Sequence, residues 1–180
     1  MSNILSNINK KILVIGRAGM DVYPEPPGTK TEDVESFSTH LGGSAANTCV
    51  SLHRYGIQTD IVTCISNASI GNYVKKKLSY FNIGTQYCRK VENEFRTQLA
   101  VVETRFENCQ SVLYRNNSCD LELSKKDIMN IDFDLYGAVI ISGIHGIGKS
   151  ITIKLLLEEM NFNPISISSS NIKDNNQLVV

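Results

Sequence analysis

Short apolar, β-branched runs alternate with stretches of helical spacing along most of this chain. Lys11 to Ile15 (KILVI) closes on Gly16 and predicts a buried first strand. Val22 to Thr31 carries three prolines and a glycine, so it reads as a loop or edge excursion and not as helix interior. Gly42 and Gly43 then precede Ala46, Cys49, Val50 and His53 at helical spacing, and Gly56 stops the pattern. Asp60 to Ile65 predicts a second buried strand. Beyond it Ile70, Val74, Leu78 and Phe81 mark one face of a helix whose wet side holds Lys75, Lys76 and Lys77. Gln98 to Thr104 and Ser111 to Arg115 predict a hairpin that breaks the alternation. Ser124 with Asp127 resembles a capping box, Gly137 to Ser142 is strand-like, Ile151 to Met160 is helical in pattern, and Pro164 to Ser168 could begin one more strand.

Strands alternating with helices imply an α/β fold with a mainly parallel sheet, in which ligands collect outside the carboxyl ends of the strands. No repeat or linker divides the 180 residues, so a single domain is expected. Two segments fall at the ligand-binding edge: Gly16 to Asp21 after the first strand, and Gly42-Gly43 at the following helix. The chemistry there suits a polyol. Asp21 can accept hydrogen bonds from two adjacent hydroxyls, though an Asp at that spacing can also cap a turn. The glycine pair lets backbone approach an oxygen-rich ligand, or simply makes a tight turn. Asn47, one turn into the helix, offers donor and acceptor to a hydroxyl, or acts as a local cap.

Eighteen basic and eighteen acidic residues cancel, so no global field draws the protein to nucleic acid or an anionic membrane, and a small partner is expected. The polar first residues and the lack of a long apolar stretch read as cytoplasmic. Cys49, Cys64, Cys88, Cys109 and Cys119 form no CxxC pair, which points to reduced thiols used as small apolar residues. His40, His53 and His145 lack partners at ligand spacing, so no transition metal is expected.

The run LGGSAANTCVSLHRYG, preceded by VIGRAGMDVYPE, resembles the N-terminal signature of the ribokinase-like (PfkB-type) carbohydrate kinases. The EDVESF, RTQLAVVE and YRNNSCDLEL segments resemble members of that family that act on a sugar acid, and the likeness covers about residues 11 to 146. It implies a ribokinase-like sheet with flanking helices and a small β-lid formed by about residues 22–39 and 96–117. It also implies that Asp21 binds sugar hydroxyls, that Gly42 and Gly43 are the glycine pair beside the sugar and Asn47 the asparagine of the same substrate site, and that Arg115, ending a lid strand, can pair with a substrate carboxylate. In the blander reading Arg115 is a solvated strand-end charge. The substrate would be a sugar or sugar acid, the donor ATP with Mg²⁺, and the lid a possible homodimer contact.

The family takes the hydroxyl proton with an aspartate in a downstream Gly-x-Gly-Asp motif, and these 180 residues contain no such motif. Residues 1–180 therefore read as the N-terminal, sugar-binding part of one kinase domain without the catalytic and ATP-binding part, inactive alone and holding no cofactor. Ser66-Asn67-Ala68 stands where the family has Gly-Asp-Asp, and Cys49 replaces a smaller residue. A non-catalytic sugar- or partner-binding remnant is the alternative. A second alternative is a P-loop nucleotide hydrolase, because Gly143, Gly148, Lys149 and Ser150 fit G-x-x-x-x-G-K-[ST] between a strand and a helix.

Overall fold

The computed structural model describes residues 10–92, 94–143 and 149–159. Residues 1–143 form one unit and 144–180 another. Within the first unit lies a parallel frame sheet made of β1 (Lys11–Ile15), β4 (Thr59–Ser66), β5 (Cys88–Val91) and β8 (Tyr136–Ile141), in the order β5-β4-β1-β8. A second sheet orders β3 (Ser36–Gly42), β2 (Gly19–Glu25), β6 (Leu99–Val102) and β7 (Ser111–Tyr114). There β2 runs antiparallel to β3 and parallel to β6, and β6 runs antiparallel to β7. This is an α/β, ribokinase-like frame with a β-lid.

The frame forms because its strands bury both faces. All eight residues of β4 are buried, as expected of a central parallel strand. On one face Ile12, Val14, Ile61 and Ile65 meet α1 (Ser44–Arg54) through Ala45, Ala46 and Cys49, and α2 (Ser69–Tyr80) through Val74 and Leu78. On the other face Leu13, Ile15 and Val62 meet Ile131 and Tyr136, with Leu123 and Ile128 beside them. Here the Ser124–Asp127 capping box is real, but it opens a single 3₁₀ turn, Lys125–Asp127.

Helices α1 and α2 each stop where the sequence supplies a residue that tolerates left-handed backbone. After α1, Gly56 takes φ +80°, and Gly56 N–H and Ile57 N–H donate to the carbonyls of His53 and Leu52. After α2, Asn82 takes φ 53°, and Ile83 N–H donates back to Leu78. Ile57 and Ile83 are then buried, so both stops also feed the core.

Two elements depart from the sequence reading. Val22 to Glu25, expected as loop, completes β2; its pairing with β6 ends at Val22, so Pro24 sits beyond the ladder where its missing N–H would be felt. Strand β5 carries Arg89 and Lys90 between two buried residues, and its four positions are too few for a periodic signal. In the second unit Lys149–Glu159 forms α3. The strand expected at Pro164 to Ser168 lies outside the described residues. No helix among the described residues is long and apolar enough to cross a membrane. Four cysteines are buried and only Cys109 is exposed; burial pushes the thiols of Cys49, Cys64 and Cys88 up to about 12.

Candidate functional site

At the root of the lid, two glycines make a floor on which polar side chains lie. Gly19 and Gly42 are direct partners across β2 and β3. A Cβ added to Gly42 would stand 2.0 Å from Asp21 Oδ1, and one added to Gly19 would stand 2.2 Å from Gln98 Nε2. Both positions must therefore be glycine for the Asp21 carboxylate and the Gln98 carboxamide to occupy the places they do. Gly43 follows with φ +98°, and a Cβ there would meet the Arg17 carbonyl oxygen at 2.5 Å. That turn starts α1, where Ala46 N–H donates to the same Arg17 carbonyl at 3.3 Å. Asn47 is exposed in the first turn of α1, its N–H donating to the Gly43 carbonyl at 2.9 Å.

The structure thus brings Asp21, Gly42, Gly43 and Asn47 to one corner, between the carboxyl end of β1 and the start of α1. Asp21 is half-buried, and among the described residues no hydrogen bond from the chain reaches its carboxylate. Burial raises its pKa above the ordinary 3.8, while the charges of Arg17 and His40 pull it down. His40 pairs directly with Asp21 across the ladder and stacks edge-on against Tyr23, ring centroids 5.2 Å apart. A carboxylate without donors beside a close-packed glycine floor can accept two hydroxyls of a polyol.

Arg115 follows the last β6–β7 pair, Leu99 with Tyr114, on the extension that carries Gln98. Its Nε donates to Asp120 Oδ2 at 3.0 Å, and Asp120 is itself almost fully buried and accepts from Ser118 Oγ. The guanidinium expected to face a substrate carboxylate therefore already faces one from the chain.

Two side chains that the sequence did not single out belong to this corner. Gln98 is 3 % exposed, and its Nε2 has no hydrogen-bond partner. Arg17 Nε is likewise buried without a partner. Leaving a buried donor unpaired costs about 1–3 kcal/mol. The one available signal was a polar Gln opening an apolar strand run and an Arg inside a glycine-flanked turn. Of the P-loop-like run, Gly143, Lys149 and Ser150 are described, whereas Gly148 lies outside the described residues. Strand β8 ends at Ile141 and α3 begins at Lys149.

Comparison with known proteins places the chain in a family. The profile of the pfkB family carbohydrate kinases matches residues 9–159, a span that includes Gly143–Ser150. A 5-dehydro-2-deoxygluconokinase of Photobacterium profundum is 29 % identical over 116 residues, covering 64 % of this chain and 35 % of that protein. Its counterpart in Clostridium tetani is 29 % identical over 133 residues, covering 73 % and 39 %. The chain thus spans between about a third and two fifths of the length of these relatives. Among solved structures, 2-dehydro-3-deoxygluconokinase of Thermotoga maritima superposes with TM-score 0.67 at 22 % identity, covering 86 % of this chain and 49 % of that one. A fructokinase of Halothermothrix orenii gives 0.64 at 19 % identity, covering 84 % and 55 %. These two likenesses are likenesses of fold.

Proposed function

The chain belongs to the pfkB family of carbohydrate kinases, and from that premise we propose that it carries the sugar pocket of an ATP-dependent kinase acting on a sugar acid such as 5-dehydro-2-deoxygluconate. The observation that supports this most is the Asp21 carboxylate, laid on Gly42 at the carboxyl edge of a parallel sheet and left without donors from the described residues. Asp21 accepts two substrate hydroxyls, Gly42 and Gly43 let the sugar approach the backbone, and Asn47 contacts a further hydroxyl. Arg115 borders the same corner from β7. The lid shields the sugar from water, and its outer strand is a possible contact between two copies.

ATP with Mg²⁺ supplies the phosphoryl group in the complete enzyme. Among the described residues no three His, Cys, Asp or Glu side chains gather into a cluster that could hold a metal ion. With no Gly-x-Gly-Asp motif in its 180 residues, the chain alone binds substrate and turns over no ATP.

Calorimetric titration of the chain with 5-dehydro-2-deoxygluconate tests the reading. Saturable binding is expected, with affinity reduced at least about tenfold in Asp21→Asn, the loss of a charge-assisted hydrogen-bond pair. Equal affinity in the variant would show that the sugar sits elsewhere. Formation of ADP by the chain alone with this sugar acid would refute the division of labour.

A further inference from the structure

An acid sugar beside Asp21 brings two negative charges together, so the site must present a cation whose charge is not already matched. Two arginines and a histidine lie near the corner. Arg115 is paired with Asp120, and His40 stacks on Tyr23. Arg17 differs from both: its Nε is buried with no hydrogen-bond partner among the described residues, and its charge reaches Asp21. An arginine held in a glycine-flanked turn, with a buried donor unpaired, is an expensive arrangement unless something outside the chain completes it.

Gln98 presents the same anomaly from the facing strand. Its side chain lies across Gly19, two residues after Arg17, and is more than nine-tenths buried with Nε2 unpaired. Because Gly19 pairs with Gly42, the carboxamide rests on the glycine next to the one that carries Asp21. The corner thus has an acceptor side at Asp21 and a donor side at Arg17 and Gln98.

We propose that Arg17 and Gln98 form the subsite for the acid end of the substrate, Arg17 pairing with the carboxylate and Gln98 Nε2 donating to an oxygen at that same end. This rests on the sugar-acid reading above and adds the residues that set the preference for an acid over a neutral sugar. It assigns the carboxylate to Arg17 in place of Arg115. A guanidinium bonded to carboxylate gives both charge and orientation, and an amide donor fixes which way the chain of hydroxyls runs into the Asp21 side.

The test compares D-gluconate with D-glucitol, six-carbon chains that differ only in a carboxylate or a CH₂OH at one end, titrated into the full chain. The native chain should favour gluconate by about tenfold or more. Arg17→Gln should bring gluconate down to the glucitol affinity and leave glucitol unchanged, and Arg17→Lys should keep part of the preference. Gln98→Leu should weaken gluconate and lower the melting temperature little, since the one bond its side chain makes among the described residues is the long 3.5 Å bond that Gln98 Oε1 accepts from Ser118 Oγ; a large fall in melting temperature with unchanged gluconate affinity would make Gln98 a packing residue. Retention of the gluconate preference in Arg17→Gln overturns the assignment, and its loss in Arg115→Gln would place the carboxylate at Arg115 while the sugar-acid reading stands. A native chain that shows no preference, including one that binds neither, overturns the reading and the assignment together.

Discussion

At the tip of the lid the Glu103 carboxylate collects three donors from the chain, whereas at its root the Asp21 carboxylate collects none among the described residues. Thr31 N–H reaches Glu103 Oε1 at 2.8 Å, and Gln110 N–H and Arg105 Nε reach Oε2 at 3.1 and 2.9 Å. These bonds, the Thr31 amide first, hold the Glu103 pKa down to about 2. Asp21 is shifted the other way, with burial the largest cause. The two acids of one sheet show how to separate a structural carboxylate from a binding one: the first has its acceptors filled by the fold, and the second is desolvated with its acceptors open.

The largest expected break of this contrast is Gly42→Ala. The new methyl would occupy the place of the Asp21 carboxylate, so the variant should lose about 1–3 kcal/mol of stability in a urea melt and lose sugar-acid binding with it. Asp21→Asn should separate those effects. A raised carboxylate pKa favours the protonated folded form, so its cost sets in as pH rises past 3.8. The variant should then match the native melting temperature below that pH and equal or exceed it above, while binding falls. At the tip the sign reverses. A lowered pKa gives stability that is present above 4.5 and is lost as pH falls toward about 2. The Thr31 and Gln110 amide proton resonances should shift across that window in the native chain and stay fixed in Glu103→Gln, with gluconate affinity unchanged at neutral pH. The smallest effect belongs to β7, whose four residues are all exposed: Val112→Thr should change stability by less than about 0.5 kcal/mol.

The frame was legible because β1, β4 and both helices bury continuous or periodic apolar sets, which are local signals. The β6–β7 hairpin was legible from two strand-forming runs around a polar segment, although β6 is only partly buried and β7 is exposed, and Leu99 pairs with Tyr114 in antiparallel register. The course of β2 was not, since three prolines masked a strand whose pairing with β3 and β6 is decided by residues far along the chain. At the site, Asp21, Gly42, Gly43 and Asn47 could be named from spacing and resemblance, and the structure brings them together. What spacing could not reveal is which polar groups remain unsatisfied. That Arg115 is matched by Asp120 while Arg17 and Gln98 are unmatched depends on three-dimensional neighbours alone.

The order β5-β4-β1-β8 also sets a timetable for synthesis. Strand β1 leaves the ribosome first and is one of the two inner strands of the frame, yet its two neighbours come much later. Ile12 pairs with Thr59 on one side and with Ala138, about 126 residues downstream, on the other. The nascent chain can close the β1–α1–β4 unit early from contacts of moderate separation, then must keep one edge of β1 unpaired through translation of the whole lid. An unpaired parallel edge of Ile, Leu and Val invites pairing with other chains, so the interval before β8 arrives is when chaperone dependence and co-translational aggregation should peak.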